Sequence, residues 1–205
     1  MFRLCRFKNV RALLILSLLM AGCVQLSNAG YIHAKAQLAQ ILIARAWEKT
    51  LILGGEPKKP WPWADTWPVA RLQVPRLQID LFVLSGAAGH ALAFGPGHES
   101  ASAIPGMPGI AVIGGHRDTH FRFLQDLRRN TLLSLQLASG KHLSYRVDST
   151  RIINTDSDPY LHKASDRSEL QLVTCYPFDA LAAGGPLRYV VSALPLAALD
   201  NRDLI

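Results

Sequence analysis

Hydrophobic and polar positions divide this chain into three patterns. The first is a solid apolar run. Ala12–Leu19 continue into Met20, Ala21 and Gly22, and no Asp, Glu, Lys or Arg appears between Arg11 and Lys35. The 21 residues from Ala12 to Ile32 match the roughly 20 that a helix needs to span a bilayer, although Gln25, Ser27 and Asn28 make its second half more polar. The second pattern, residues 34–50, is Ala-rich, with Leu38, Leu42, Ala46 and Trp47 near a helical period. It predicts a stalk helix ended by Gly54-Gly55 and Pro57. Pro60-Trp61-Pro62-Trp63 and Trp67-Pro68 then form a stiff aromatic segment that cannot lie inside a sheet and is expected to cover one end of a barrel.

The third pattern begins at Val69, where short apolar runs alternate with Gly, Pro, Asn, Asp or Ser. It predicts strands at Val69–Val74, Leu77–Leu84, Ala91–Phe94, Ile110–Ile113, Leu132–Leu137, His142–Val147, Arg151–Asn154, Leu170–Cys175 and Leu187–Leu194. A short helix is expected at Phe121–Arg128, where Phe123, Leu124 and Leu127 share a face. Eight or so strands in about 125 residues argue for an all-β barrel or sandwich. The expected organisation is an anchor over 1–33, a helical stalk and linker over 34–59, the barrel over 60–197 and a tail over 198–205.

Charge changes the picture at the N-terminus. The net charge is +7, but Arg3, Arg6, Lys8 and Arg11 precede every acidic residue, and residues 12–205 carry a balance of only +3. The basic balance is partly a targeting signal, so it calls for no nucleic-acid partner. Basic residues before the apolar run place the N-terminus in the cytoplasm and the rest of the chain outside. We read the run as an uncleaved signal anchor. Acylation at Cys23, suggested by Leu19-Met20-Ala21-Gly22-Cys23, and plain cleavage are the alternatives, and all three export the domain across the inner membrane. Cys5 and Cys23 belong to this segment, which leaves the exported domain a single cysteine, Cys175. Neither an internal disulfide nor a thiolate metal cluster is then available to it.

Cys175 ends the run Leu170-Gln171-Leu172-Val173-Thr174-Cys175, just before Tyr176-Pro177 breaks the strand. A thiol at a strand end is offered at the rim of a sheet, where a substrate can reach it, whereas a core thiol more often sits in mid-strand. An ordinary cysteine is mostly protonated at neutral pH and needs a histidine to exchange a proton with. Of seven histidines, His116 stands out because it follows a buried-type strand and the pair Gly114-Gly115. His116-Arg117-Asp118-Thr119-His120 raises a metal alternative, but Arg117 would repel a cation, and a glycine-started turn is not the helix such motifs use. Arg188, on the next strand, can donate hydrogen bonds to a developing oxyanion or pair with a carboxylate at a barrel rim.

Taken together, Gly-Gly-His116, Leu172-Val173-Thr174-Cys175 and Arg188 resemble the sortase family. The stretches Trp61–Trp67, Leu92–His98, Gly115–Phe121, Cys175–Asp179 and Gly184–Tyr189 resemble its Gram-negative branch, and the likeness covers roughly residues 60–195. One departure is Gln171, where the family's motif usually has Thr. The resemblance implies an eight-stranded β-barrel and a cysteine transpeptidase. Its substrates would be an exported protein with a C-terminal Leu-Pro-x-Thr-Gly-like sorting signal and an amine acceptor in the cell envelope. It implies Cys175 as nucleophile, His116 as acid and base, and Arg188 at the scissile carbonyl, with Thr174, His98, Asp118 and His120 toward the substrate. No organic cofactor is expected. Some sortases are helped by calcium, for which Asp156, Asp158 and Asp166 are the available carboxylates, though scattered loop aspartates are usually just solvated. Two rivals stay open: a hydrolytic cysteine peptidase with the same residues, and a non-catalytic envelope-binding barrel in which Cys175 is inert.

Overall fold

The computed structural model describes residues 2–89, 91–157, 168–180 and 184–196, with side chains from Leu13 onward. The chain divides into two units, Met1–Ile41 and Leu42–Ile205. The helix α1 (Phe2–Ile52) begins in the first and ends in the second without a break at the junction of the two predicted helical segments. In the first unit the apolar run is exposed on every side: Leu13, Leu14, Ile15, Leu16, Leu18 and Leu19 all face outward. By length and composition α1 is able to cross a membrane.

In the second unit, the last turns of α1 bury Ile43, Ala46, Trp47 and Thr50. Trp47 lies 6.3 Å from the ring of Phe82 in a tilted contact. The Lys58 amide donates to Thr50 Oγ1 at 3.2 Å, so the linker doubles back on the helix end. Termination follows the expected signal: Gly54 and Gly55 both take left-handed φ values, +68° and +101°, which a side chain resists. Trp61 then meets Phe94 edge-on at 5.2 Å, while Trp63 is exposed.

Eight strands close into one barrel: β1 (Pro68–Val74), β2 (Ile79–Ser85), β3 (Gly97–His98), β4 (Gly109–Gly114), β5 (Leu132–Leu137), β6 (His142–Asn154), β7 (Ser168–Cys175) and β8 (Leu187–Pro195). Their order is β1-β2-β3-β4-β7-β8-β6-β5, returning to β1. Closure leaves no free edge among the described strands. The interior is apolar, with Leu72, Val83, Ile113, Leu135, Leu172 and Val191 among its fully buried members. A second, smaller cluster (Val112, Ile153, Val173 and Val190) lies on the other face of β4, β7, β8 and β6. The middle parts of β4, β7 and β8 are thus buried on both faces, which is why β4 and β7 read as continuous apolar runs and not as alternating ones.

Three local expectations differ from what forms. Ala91–Phe94 is a short helix, α2, as befits four residues rich in helix-favouring Ala and Leu. The strand nearby is Gly97–His98, too short for any periodicity to reveal. It sits so close to Gly86 that a Cβ at Gly97 would collide with the Gly86 carbonyl, so glycine is required there. The segments His142–Val147 and Arg151–Asn154 are one strand, because the polar stretch between them is a bulge, with the register slipping between Val147 and Ser149, and not a turn. The expected helix at Phe121–Arg128 is a 3-10 segment over Arg122–Asp126.

Candidate active site

The site rests on the one long parallel pairing of the barrel. β4 and β7 run side by side from Gly109↔Ser168 to Gly114↔Val173. The pairing continues one step beyond the strand: the Gly115 amide donates to the Val173 carbonyl at 3.1 Å. Thr174 then donates its hydroxyl to the Gly115 carbonyl at 2.7 Å. These two bonds straddle the last residues of β7, so the turn carrying His116 is fixed against the strand end carrying Cys175. Thr174 alternates with Cys175 and is buried, whereas Cys175 is half-buried and His116 exposed.

Glycine at 115 has a steric cause. A Cβ there would lie 2.7 Å from the Phe121 ring, and Phe121 is fully buried. The Phe121 amide donates to the His116 carbonyl at 2.9 Å, closing the turn over that ring. Packing therefore sets the turn, and His116 leaves it outward. His120, two residues before the 3-10 segment begins, is half-buried. Burial first, and the neighbouring His116 second, hold its pKa below the ordinary histidine value. Thr119 Oγ1 lies 3.3 Å from its Nδ1. Asp118 is exposed.

Arg188 stands directly across from Cys175 in the antiparallel pairing of β7 with β8. Residues so paired share a face, with Cβ atoms about 5 Å apart. The guanidinium turns back on its own loop: Nη1 donates to the Gly185 carbonyl at 2.7 Å and to that of Leu187 at 2.9 Å. Its Nε and Nη2 make no hydrogen bond among the described residues. Beyond β7, the Tyr176–Pro177 peptide is cis. Tyr176 stacks on Tyr189 at 6.3 Å, and Phe178 meets the two rings edge-on at 6.2 and 5.2 Å.

His98 is arranged differently. It pairs with Ile113 of β4, and its Nε2 is 3.0 Å from the Ala103 carbonyl and 3.3 Å from Ser102 Oγ. Its ring borders an apolar cavity of about 270 Å³ with Val83, Ile104, Ile113 and Leu137. Asp158 and Asp166 lie outside the described residues, and Asp156 is exposed. Among the described residues no group of three or more His, Cys, Asp or Glu is placed to hold a metal ion.

Arg117 is the residue whose part the motif reading missed. It is buried, and its Nη2 donates to the Ala180 carbonyl at 2.9 Å, 63 residues on, in the loop between Cys175 and Arg188. It tethers the histidine turn to the loop that follows the cysteine. The only advance sign was a cation beside a histidine on an apolar-flanked turn.

A closed barrel with a strand-end thiol, an imidazole-bearing turn bonded to that strand and an arginine in register opposite the thiol defines a class of protein. Comparison with known proteins says which. A family model described as the sortase domain matches residues 72–196. Sortase D of Bacillus subtilis is 32% identical over 120 residues, 58% of this chain and 60% of that protein. The chain thus spans less than two thirds of that relative. Among solved structures, sortase A from Corynebacterium diphtheriae matches with a TM-score of 0.57 and 25% identity, covering 65% of this chain and 63% of that one. A Clostridium perfringens sortase D5 transpeptidase matches with a TM-score of 0.61 and 18% identity, covering 78% and 99%. The chain belongs to the sortase family.

Proposed function

We propose that this protein is a membrane-anchored cysteine transpeptidase. It cleaves a Leu-Pro-x-Thr-Gly-like signal near the C-terminus of an exported protein and transfers that protein to an amine of the cell envelope. The observation that carries this reading is the pair of bonds, Gly115 to Val173 and Thr174 to Gly115, that joins the His116 turn to the end of the Cys175 strand. Family membership and the register of Arg188 opposite Cys175 support it.

In the first half-reaction the Cys175 sulfur attacks the scissile carbonyl carbon, its proton passing to His116. The C–N bond breaks as His116 returns that proton to the departing amine, leaving a thioester. In the second, a neutral amine attacks the thioester carbonyl, His116 takes a proton from the attacking nitrogen, and the C–S bond breaks. Arg188, swung off the Gly185 carbonyl, offers its donors to the oxyanion in both halves. Thr174 holds the turn from the inner side, while Asp118, His120 and His98 flank the approach of substrate. The chemistry asks for no organic cofactor. The apolar run and the basic residues before it support a single-pass anchor in the inner membrane with the barrel in the periplasm. The motif stretches quoted above support placement in the Gram-negative branch.

The test is mass spectrometry of the purified protein with a Leu-Pro-x-Thr-Gly peptide and an amine. The expected outcome is a thioester on Cys175 that amine converts into a new amide. Cys175→Ala abolishes both, and Arg188→Ala slows thioester formation on the order of 100-fold or more. Thioester and free acid without amide at millimolar amine would make the enzyme a peptidase. A folded protein that forms no adduct with any sorting peptide would make Cys175 an inert thiol.

A further inference from the structure

The residue before His116 is held by two backbone groups: the Gly115 amide meets the Val173 carbonyl, and the Gly115 carbonyl meets the Thr174 hydroxyl. The residue after it is held by its own side chain. Arg117 is buried, and its Nη2 donates to the Ala180 carbonyl at 2.9 Å. Ala180 belongs to the segment that continues directly from Cys175, and that segment is itself fixed. The Tyr176 amide donates to the Leu187 carbonyl at 3.0 Å, and the Ala180 amide turns back to the Pro177 carbonyl at 3.5 Å. Between them Phe178 packs against the barrel core beside Tyr189. His116 is therefore tied to the chain of the nucleophile on both flanks, ahead of Cys175 through residue 115 and beyond it through residue 117. A buried guanidinium is a costly tie, because the cation gives up its hydration and an apolar side chain would fill the same space without that loss. No other Lys, Arg, Asp or Glu among the described residues is buried.

We infer that Arg117 is a positioning residue that sets where the His116 imidazole stands relative to the Cys175 sulfur. The inference rests on the transpeptidase reading and adds a residue to it. His116 has to take the thiol proton and then hand it to the departing amine, and both transfers need the ring within hydrogen-bond reach. The His116 side chain is exposed, so its place comes from its backbone and not from packing around the ring. Gly114 and Gly115 precede it, and glycine leaves a backbone free to pivot. With residue 115 alone held, the turn can swing about that point. The Arg117 bond supplies the second point and stops the swing. Arg117 thus acts through the backbone of its neighbour, and no proton passes through it.

The experiment uses the full chain in detergent and follows single-turnover thioester formation with a Leu-Pro-x-Thr-Gly peptide, each rate divided by the folded fraction from near-ultraviolet circular dichroism. Arg117→Met keeps a long arm and removes the donors. It should lower the limiting rate about 10- to 100-fold, the cost of a misplacement of about 1 Å, with the half-saturating peptide concentration within about twofold of the parent. Arg117→Lys returns one donor and should run about three- to tenfold faster than Arg117→Met. A residue that only holds the fold together would lower the folded fraction and leave the rate per folded molecule alone. Should Arg117→Met not fold, Arg117→Gln, too short to reach Ala180, takes its place with the same expectations. The proposal is overturned if the donor-less variant acylates within about twofold of the parent, if its loss lies in the half-saturating concentration, or if Arg117→Lys is no faster. A parent that forms no thioester would instead strike the transpeptidase reading.

Discussion

At Gly115 the absence of a side chain is what lets the histidine turn close over Phe121, because a Cβ would stand 2.7 Å from that ring. Neither partner can yield cheaply: Phe121 is fully buried, and Gly115 is bonded to both Val173 and Thr174. Gly115→Ala is therefore expected to cost about 1–3 kcal/mol of stability, as overpacked cores do. It should lower thioester formation by more than the loss of folded protein explains, since the displaced turn carries His116. Denaturant titration and single-turnover acylation on the same sample separate the two effects. His120 has its own signature in pH. Its folded pKa lies below the ordinary value, chiefly from burial and then from His116, with Asp118, Arg122 and Asp126 the other charged groups on its segment. The unfolded chain then binds this proton at higher pH than the folded one. Stability should fall as pH drops through the ordinary histidine value and level off below the folded pKa. An NMR titration of the ring should show the low midpoint, and His116→Ala should raise it only in part, because burial remains.

The second unit starts well before the barrel. Ile43, Ala46 and Trp47 are buried, and Trp47 rests on Phe82 of β2. A protein begun at Leu42 should melt much like the full chain, whereas one begun at Trp61 leaves Phe82 uncovered. Losing a buried tryptophan costs about 3–5 kcal/mol, which lowers Tm by on the order of 10 °C for a domain of this size. Calorimetry of the two proteins decides it, and equal melting temperatures would mean that the helix end adds nothing to the barrel. This helix also shows what the sequence could and could not convey. Its period and its Gly-Gly stop were legible, as were the long strands β1, β4, β7 and β8, because burial imposes a regular pattern on each. β3 was not, since two residues carry no period and its requirement for Gly97 comes from Gly86, a neighbour only in space. The bulge inside β6 looked like a turn because Asp148 and Ser149 are turn-formers locally, and only pairing with β8 overrides them. Cys175, His116 and Arg188 stood out in the sequence by residue type and position, and the structure carries them on adjoining elements. Arg117 and the Thr174 hydroxyl did not stand out, because their partners, Ala180 and Gly115, lie 63 and 59 residues away.

For the whole molecule, the proposed reaction makes sense only where clients arrive by export. Arg3, Arg6, Lys8 and Arg11 precede the apolar run, an asymmetry expected to hold the N-terminus in the cytoplasm if the run spans the membrane. A reporter active only in the periplasm, fused after Ile205, should be active, while a cytoplasm-only reporter at the same point should be silent. The reverse pattern would leave the barrel on the wrong side of the membrane for exported clients. Moving those four basic residues to the far side of the run should weaken or invert the orientation.

The bond between Thr174 and Gly115 also sets an order of events. It spans 59 residues and exists only once β4 and β7 lie side by side, with β5 and β6 threaded between them in sequence. Contacts of such sequence separation form late, after the local hairpins. On the proposed reading, the Cys175 thiol and the His116 imidazole are therefore not held together in an unfinished barrel, and nucleophilic power is expected to appear only once the barrel shuts.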